Sequence, residues 1–183
     1  MRIISGKYNR RILISPDSFK VRPTSDRAKE TLFNILSCRY DFNEMKVLDL
    51  FCGTGNLGLE CLSRGAAMCC FVDKDVKLVQ KNIELLKAGD NAHSVKSDVM
   101  MYLNSLGNES FDLVFCDPPY DYENYNALLE EISLMKTILV LEHSEKFKAD
   151  IKFQKFILLK KKIGTVNFTL FDFVDFVDFV DFA

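Results

Sequence analysis

From Lys46 to His143 the chain alternates short apolar runs with longer stretches whose apolar residues recur every three or four positions. "KVLDLF", "MCCFVD", "HSVKSD", "FDLVFCD" and "TILVLEH" read as strands. The spacing between them predicts helices over 56–64, 75–88, 99–106 and 124–135. In the second of these, Val76, Val79, Ile83 and Leu86 fall on one face, and Gly89 offers a stop. Strand–helix alternation implies right-handed βαβ units and a mainly parallel sheet covered on both faces. Beyond residue 143 the alternation ends. "KFILLKKKIGTVNFTLFDF" reads as two antiparallel strands around Gly164, so the sheet gains an antiparallel end.

The first 45 residues follow another pattern. "MRIISGKYNRRILISP" has two β-rich stretches about a polar centre, a hairpin ended by Pro16. "SFKVRP" is a loop. Thr24 or Ser25 can cap a helix carrying Asp26 in its first turn and Ala28, Leu32, Phe33 and Leu36 along one face. At the other end, "DFVDFVDFVDFA" repeats with period three, which neither a strand nor a helix segregates cleanly. It reads as a low-complexity extension. The expected organisation is a basic hairpin and loop over 1–23, one α/β domain over 24–171 and a Phe-Val-Asp tail over 172–183.

Composition narrows the class. The 183 residues, 48% hydrophobic and 27% charged, suit one globular domain. The net charge of −2 conceals an asymmetry. Residues 1–29 hold eight basic residues, Lys29 among them, against Asp17 and Asp26; the remainder holds 16 against 24 acids. A basic arm on an acidic body points to a polyanion, with Arg2, Lys7, Arg10, Arg11, Arg22 and Arg27 as candidate phosphate contacts. A solvated, charged hairpin is the plainer alternative. No apolar run is long enough to span a bilayer and no leader pattern opens the chain, so a cytoplasmic protein is expected. Cys38, Cys52, Cys61, Cys69, Cys70 and Cys116 form no C-x-x-C pair and read as free thiols. With only His93 and His143 as imidazoles, no metal motif emerges.

"VLDLFCGTGNLGLE" carries the first chemistry. Gly53, Gly55 and Gly58 fit G-x-G-x-x-G after a strand, which lets the turn close, brings amides to a ligand and packs helix on strand. Asp73 ends the next strand, 18 residues past Gly55, where it can accept a ribose hydroxyl. NAD and S-adenosylmethionine both satisfy this much. Asp49, inside the strand end, favours a ligand bearing an ammonium and repels a pyrophosphate. It can equally be a structural acid capping the glycine turn. Asp98, at the end of the third strand, can meet an adenine amino group or cap the following helix. Phe51 lies in the same glycine turn as a further cofactor contact.

"VFCDPPYDY" carries the second. Two prolines end a buried strand, because neither has an N–H for the ladder. An exocyclic base amine is a poor nucleophile until acceptors grip its two protons. Asp117 offers a carboxylate, Pro118 a carbonyl, Pro119 stiffness and Tyr120 a ring for base stacking worth roughly 1–3 kcal/mol. Cys116, as a thiol nucleophile on a pyrimidine, is a weaker alternative. A planar NH₂ group could also belong to adenine N6 or a glutamine amide. Outside methyl transfer, a dinucleotide-dependent oxidoreductase or a non-catalytic RNA-binding protein remains open.

"DLFCGTGNLGLE" with "DPPY" resembles class I S-adenosylmethionine-dependent methyltransferases. "MRIISGKYNRR", "RPTSDRAKETLFNIL", "LDLFCGTGNLGLECLSRGA", "FDLVFCDPPY" and "LVLEHS" together resemble the RsmD family of 16S rRNA guanine-N2 methyltransferases, from residue 1 to about 170. The resemblance implies a Rossmann-like, seven-stranded, mainly parallel sheet with an antiparallel last strand. It implies S-adenosyl-L-methionine at Asp49, Gly53, Gly55, Asp73 and Asp98, and the target guanine at Asp117–Tyr120. It also implies Arg22, Pro23, Thr24 and Arg27 near cofactor and RNA, and 16S rRNA within an assembled or assembling small subunit as partner of a monomer. Asn56 stands where the family usually has a small residue, the hairpin turn at "KIGTVNF" is one residue short, and the Phe-Val-Asp tail has no counterpart.

Overall fold

The computed structural model describes residues 1–16 and 26–174. Seven strands form one sheet: β1 Lys46–Leu50, β2 Met68–Asp73, β3 Ala92–Lys96, β4 Leu113–Cys116, β5 Ile138–His143, β6 Ile157–Ile163 and β7 Val166–Asp172. Their order is β3-β2-β1-β4-β5-β7-β6. All neighbours are parallel except at β7, which runs antiparallel to both β5 and β6. The expected sheet is therefore present. It includes the hairpin about Gly164, whose φ of 63° makes the tight reversal.

Among the described residues six helices cover the faces: α1 Asp26–Ser37, α2 Asn56–Ser63, α3 Lys77–Leu86, α4 Val99–Ser105, α5 Tyr125–Leu134 and α6 Ile151–Gln154. On one face, Phe33 of α1 and Val79 of α3 pack over Phe71 and Phe115. On the other, Leu103 of α4 and Leu129 of α5 pack over Leu48, Val114 and Phe171. Both apolar faces explain why the central strands lack polar alternation: β4 is buried at every residue. The strand order reverses between β1 and β4, and in such sheets the crevice at that switch point binds ligands.

Two local expectations are corrected, and one element is new. Helix α3 ends before Gly89: Lys87 takes the left-handed conformation (φ 55°), and Ala88 N–H returns to the Ile83 carbonyl at 3.0 Å. Strand β4 starts at Leu113 rather than Phe111, because Asp112 turns to Lys46: its carboxylate accepts the Lys46 N–H at 2.7 Å. The four-residue α6 has no counterpart in the sequence reading. Beyond β7, Phe173 is fully buried and stacks on Phe171 at 5.5 Å. The tail from residue 175 lies outside the described residues, as do Arg22, Pro23 and the Thr24/Ser25 cap.

The N-terminal arm is a short hairpin. One bridge joins Arg2 to Ile12, and Ile3 exchanges bonds of 2.9 Å with Arg11 and Arg10. Much of its backbone is satisfied elsewhere. Ile4 and Ser5 N–H donate to the Glu60 carboxylate at 2.7 and 3.0 Å, and Ile14 N–H donates to Asn82 at 2.7 Å. Its tip presses on the end of α2: a Cβ on Gly6 would lie 1.7 Å from the Ser63 carbonyl oxygen.

Candidate functional site

The C-terminal ends of β1, β2 and β4 bring both motifs to one cleft of about 530 Å³. That volume is within the range of small-molecule sites. Asp49, Phe51, Gly53 and Asp73 line one side, and Asp117, Pro118, Pro119 and Tyr120 line the other. Register places them there: Leu50 is opposite Cys116, and Asp117 N–H reaches the Leu50 carbonyl at 3.4 Å.

Asp49 is almost fully buried, and its Oδ2 accepts the Gly58 N–H at 2.9 Å. This fixes the helix to the strand, so the structural role considered for this acid is present, and the residue still lines the cleft. Gly58 must be glycine here, since a Cβ would lie 2.5 Å from Cys69 Sγ and 3.0 Å from that same Oδ2. Burial pushes the Asp49 carboxyl up to about 8, with Asp117 and Asp73 adding repulsion. Asp117 is likewise raised by burial. Two closely placed carboxyls with raised affinity for protons make a site primed to receive positive charge.

Asp73 closes the glycine turn: Oδ2 accepts the Gly53 N–H at 2.9 Å and Oδ1 the Asp75 N–H at 3.1 Å. Phe51 lines the cleft with φ 56°, a conformation non-glycine residues seldom hold, and its ring meets Tyr122 edge-on at 5.5 Å. Gly55, in the left-handed conformation, sits at the N-cap of α2 behind the cleft lining. Asp98 is set back too. It caps α4 through the Met100 and Met101 N–H groups and pairs with Lys74 at 3.1 Å, while its neighbour Val99 lines the cleft. At the other wall, Tyr122 N–H donates to the Pro119 carbonyl at 2.9 Å. That bond closes a turn over Pro119–Tyr122 and leaves Pro118 outside it, next to Asp117 in the cleft lining. Tyr120 is 60% exposed at the mouth. Cys116 is buried with its thiol pushed far up, the opposite of a nucleophile.

Arg2, Lys7, Arg10, Arg11 and Arg27 are all exposed, as a phosphate-contacting set requires; Arg2 also pairs with Asp26 at 3.3 Å. Lys29 departs from the basic arm. It is fully buried, 3.0 Å from Glu60, and donates to the Arg2 carbonyl at 2.6 Å and to Asn56 Oδ1 at 2.8 Å. Asn56 is thereby explained: it carries the acceptor that joins this buried ammonium to the first residue of α2. Sequence reasoning also missed Met1 and Pro16, which bring the arm to the cleft, and Glu142 at the end of β5. Glu142 carried one signal, an acid closing an apolar strand. No cluster of metal-ligating side chains occurs among the described residues.

The sequence profile of the family described as "Conserved hypothetical protein 95" matches residues 1–172. "Ribosomal RNA small subunit methyltransferase D" of Haemophilus influenzae is 34% identical over 182 residues, spanning 94% of this chain and 93% of that protein. The protein of the same name from Escherichia coli is 43% identical over 134 residues, 72% of this chain and 64% of its own length. Among solved structures, yhhF of Escherichia coli superposes with a TM-score of 0.75 at 32% identity, covering 94% of this chain and 97% of that one.

Proposed function

This chain belongs to the conserved hypothetical protein 95 family, the RsmD family, and from that membership we propose that it methylates the exocyclic N2 of a guanine in small-subunit rRNA. The observation that carries the reading is the single cleft joining the glycine turn to the Asp-Pro-Pro-Tyr segment.

The donor that fits is S-adenosyl-L-methionine, whose ammonium and sulfonium suit an acid-lined, glycine-turned crevice better than a pyrophosphate would. Asp49 would face the ammonium of its methionine part, Asp73 the ribose hydroxyls, and Gly53 and Phe51 the intervening wall. When bound, this group supplies an electrophilic methyl. The chain's own residues then handle the base. Tyr120, exposed at the mouth, stacks on a guanine swung out of the RNA. Asp117 and the Pro118 carbonyl accept hydrogen bonds from the two N2–H groups and turn the nitrogen lone pair towards the donor. The raised Asp117 carboxyl is matched to taking the proton that N2 sheds afterwards. The exposed basic arm with Arg27 contacts phosphates. An assembled or assembling subunit as substrate, a monomeric enzyme and a cytoplasmic setting complete the proposal. No helix among the described residues is long and apolar enough to cross a membrane.

Asp117→Ala is expected to abolish transfer of labelled methyl to unmethylated 30S particles while leaving the affinity for S-adenosylhomocysteine unchanged. Nucleoside digestion of the wild-type product should yield N2-methylguanosine. N6-methyladenosine in its place, or an active Asp117→Ala enzyme, overturns the assignment.

A further inference from the structure

A second charged surface lies at the opposite end of the sheet from the arm. Residues 145–162 contain Lys146, Lys148, Lys152, Lys155, Lys160, Lys161 and Lys162 against Glu145 and Asp150. In sequence this segment is a loop, a short helix and an edge strand, and nothing in it points to the cleft. Topology does. β7 lies between β5 and β6 and runs antiparallel to both, so β6 runs in the same direction as β5, and its lysines sit at the ligand-binding end. Through β7, Lys162 lies level with His143 and Lys161 with Glu142, a cleft-lining residue. Successive strand residues face opposite sides. Lys161 faces α1, where it lines a narrow apolar gap with Leu36 and Leu159. Lys160 and Lys162 face the other side, where Lys160 acts on His143 and Lys162 pairs with Glu145.

That side carries a row of rings leading back to the cleft. His143 meets Phe147 at 4.6 Å, Phe147 meets Tyr125 at 4.8 Å, Tyr125 meets Tyr122 at 5.4 Å, and Tyr122 meets cleft-lining Phe51 at 5.5 Å. The row holds the 144–148 loop, so exposed Lys146 and Lys148 flank a packed Phe147 rather than a free loop tip. Burial holds His143 neutral by lowering its proton affinity, so the positive charge here comes from the lysines alone.

Lysine on an edge strand is also a general device against edge-to-edge pairing. That purpose would place charge where the edge is apolar. Here the apolar half of β6 has no such guard: Leu158 is 48% exposed, and the three lysines sit together at the half nearest the cleft.

We propose that Lys146, Lys148, Lys160 and Lys162 form a second RNA-phosphate contact surface, which with the N-terminal arm brackets the cleft and holds the strand on the far side of the target base. The partner is a single-stranded or distorted segment of ribosomal RNA. The inference rests on the methyltransferase reading for its substrate. It differs in assigning phosphate contacts to a surface that carries no cofactor or base contact.

The test combines the four substitutions Lys146→Ala, Lys148→Ala, Lys160→Ala and Lys162→Ala, all at exposed positions. Lys46→Ala with Lys136→Ala, also exposed but at the opposite end of the strands, is the charge control. With 30S particles and labelled donor, KM for the particle should rise about tenfold in the quadruple variant, with kcat and S-adenosylhomocysteine affinity unchanged. Anisotropy of a labelled single-stranded ribosomal RNA oligonucleotide reads the same surface without chemistry. Its log–log salt slope should flatten by roughly 0.7 for each phosphate that is no longer neutralised. A wild-type protein that binds this RNA but methylates no 30S particle overturns the enzymatic reading and leaves the surface to be judged by the slope. A quadruple variant with wild-type slope and KM, or one no weaker than the control, overturns the surface.

Discussion

A carboxyl buried at the end of β1 costs the ligand-free protein stability, and Asp49 shows the sign. Its folded pKa of about 8 lies above the ordinary 3.8. Between those values the folded state keeps a proton that the unfolded chain has released, so unfolding free energy falls as pH rises across that window. Asn at this position can still accept the Gly58 N–H and carries no charge. Asp49→Asn should therefore raise the melting temperature of the ligand-free protein at pH 8.5, with the gain fading towards pH 4. The same change should weaken S-adenosylhomocysteine about 10- to 100-fold, the worth of one charge-assisted hydrogen bond. Thermal unfolding over pH and calorimetric titration read the two halves. A variant destabilised at high pH would show that this carboxylate is compensated in the folded protein.

At the scale of elements, the buried Lys29–Glu60 pair joins three of them. Glu60 on α2 accepts two arm N–H groups and Arg64 Nε at 2.9 Å, and Lys29 on α1 adds the Arg2 carbonyl and Asn56. Removing one partner of a buried pair strands the other charge. Lys29→Met is thus expected to cost about 3 kcal/mol in urea unfolding, with an unchanged m-value. This network also marks where sequence reading stops. The sheet, the glycine turn and the Asp-Pro-Pro-Tyr segment were legible because strand runs, helix period and proline chemistry are local. Lys29 was counted with the arm's surface charge, because its burial depends on Glu60, 31 positions away, and on Asn56. Two further features also escaped the sequence reading. α6 is too short to show a period, and the lysines of β6 acquire a place near the cleft only because β7 inserts between β5 and β6, antiparallel to both. The glycine stop failed for a different reason: Lys87 reached the left-handed region first, a local choice that Gly89 made look unnecessary.

Across the whole molecule, the arm and the glycine turn are one mechanical unit. Asn82 on α3, fully buried, bonds both the N–H and the carbonyl of Ile14 in the arm, and donates to the Thr54 carbonyl in the glycine loop at 2.9 Å. Thr54 also reaches Met1 Sδ at 3.6 Å. A ligand that orders the glycine loop therefore also fixes the surface proposed to meet phosphate, and linkage requires the effect to be mutual. S-adenosylhomocysteine should tighten 30S binding by about fivefold or more, and 30S particles should tighten S-adenosylhomocysteine by the same factor. Asn82→Ala, which cuts the bonds from α3 to Ile14 and to cleft-lining Thr54 and touches none of the exposed arginines, should pull that factor towards one. Paired titrations, each ligand measured with and without the other, give the number. An arm that gripped RNA independently of the loop would leave the factor the same in wild type and variant, and the basic hairpin would then be an appendage rather than a wall of the active cleft.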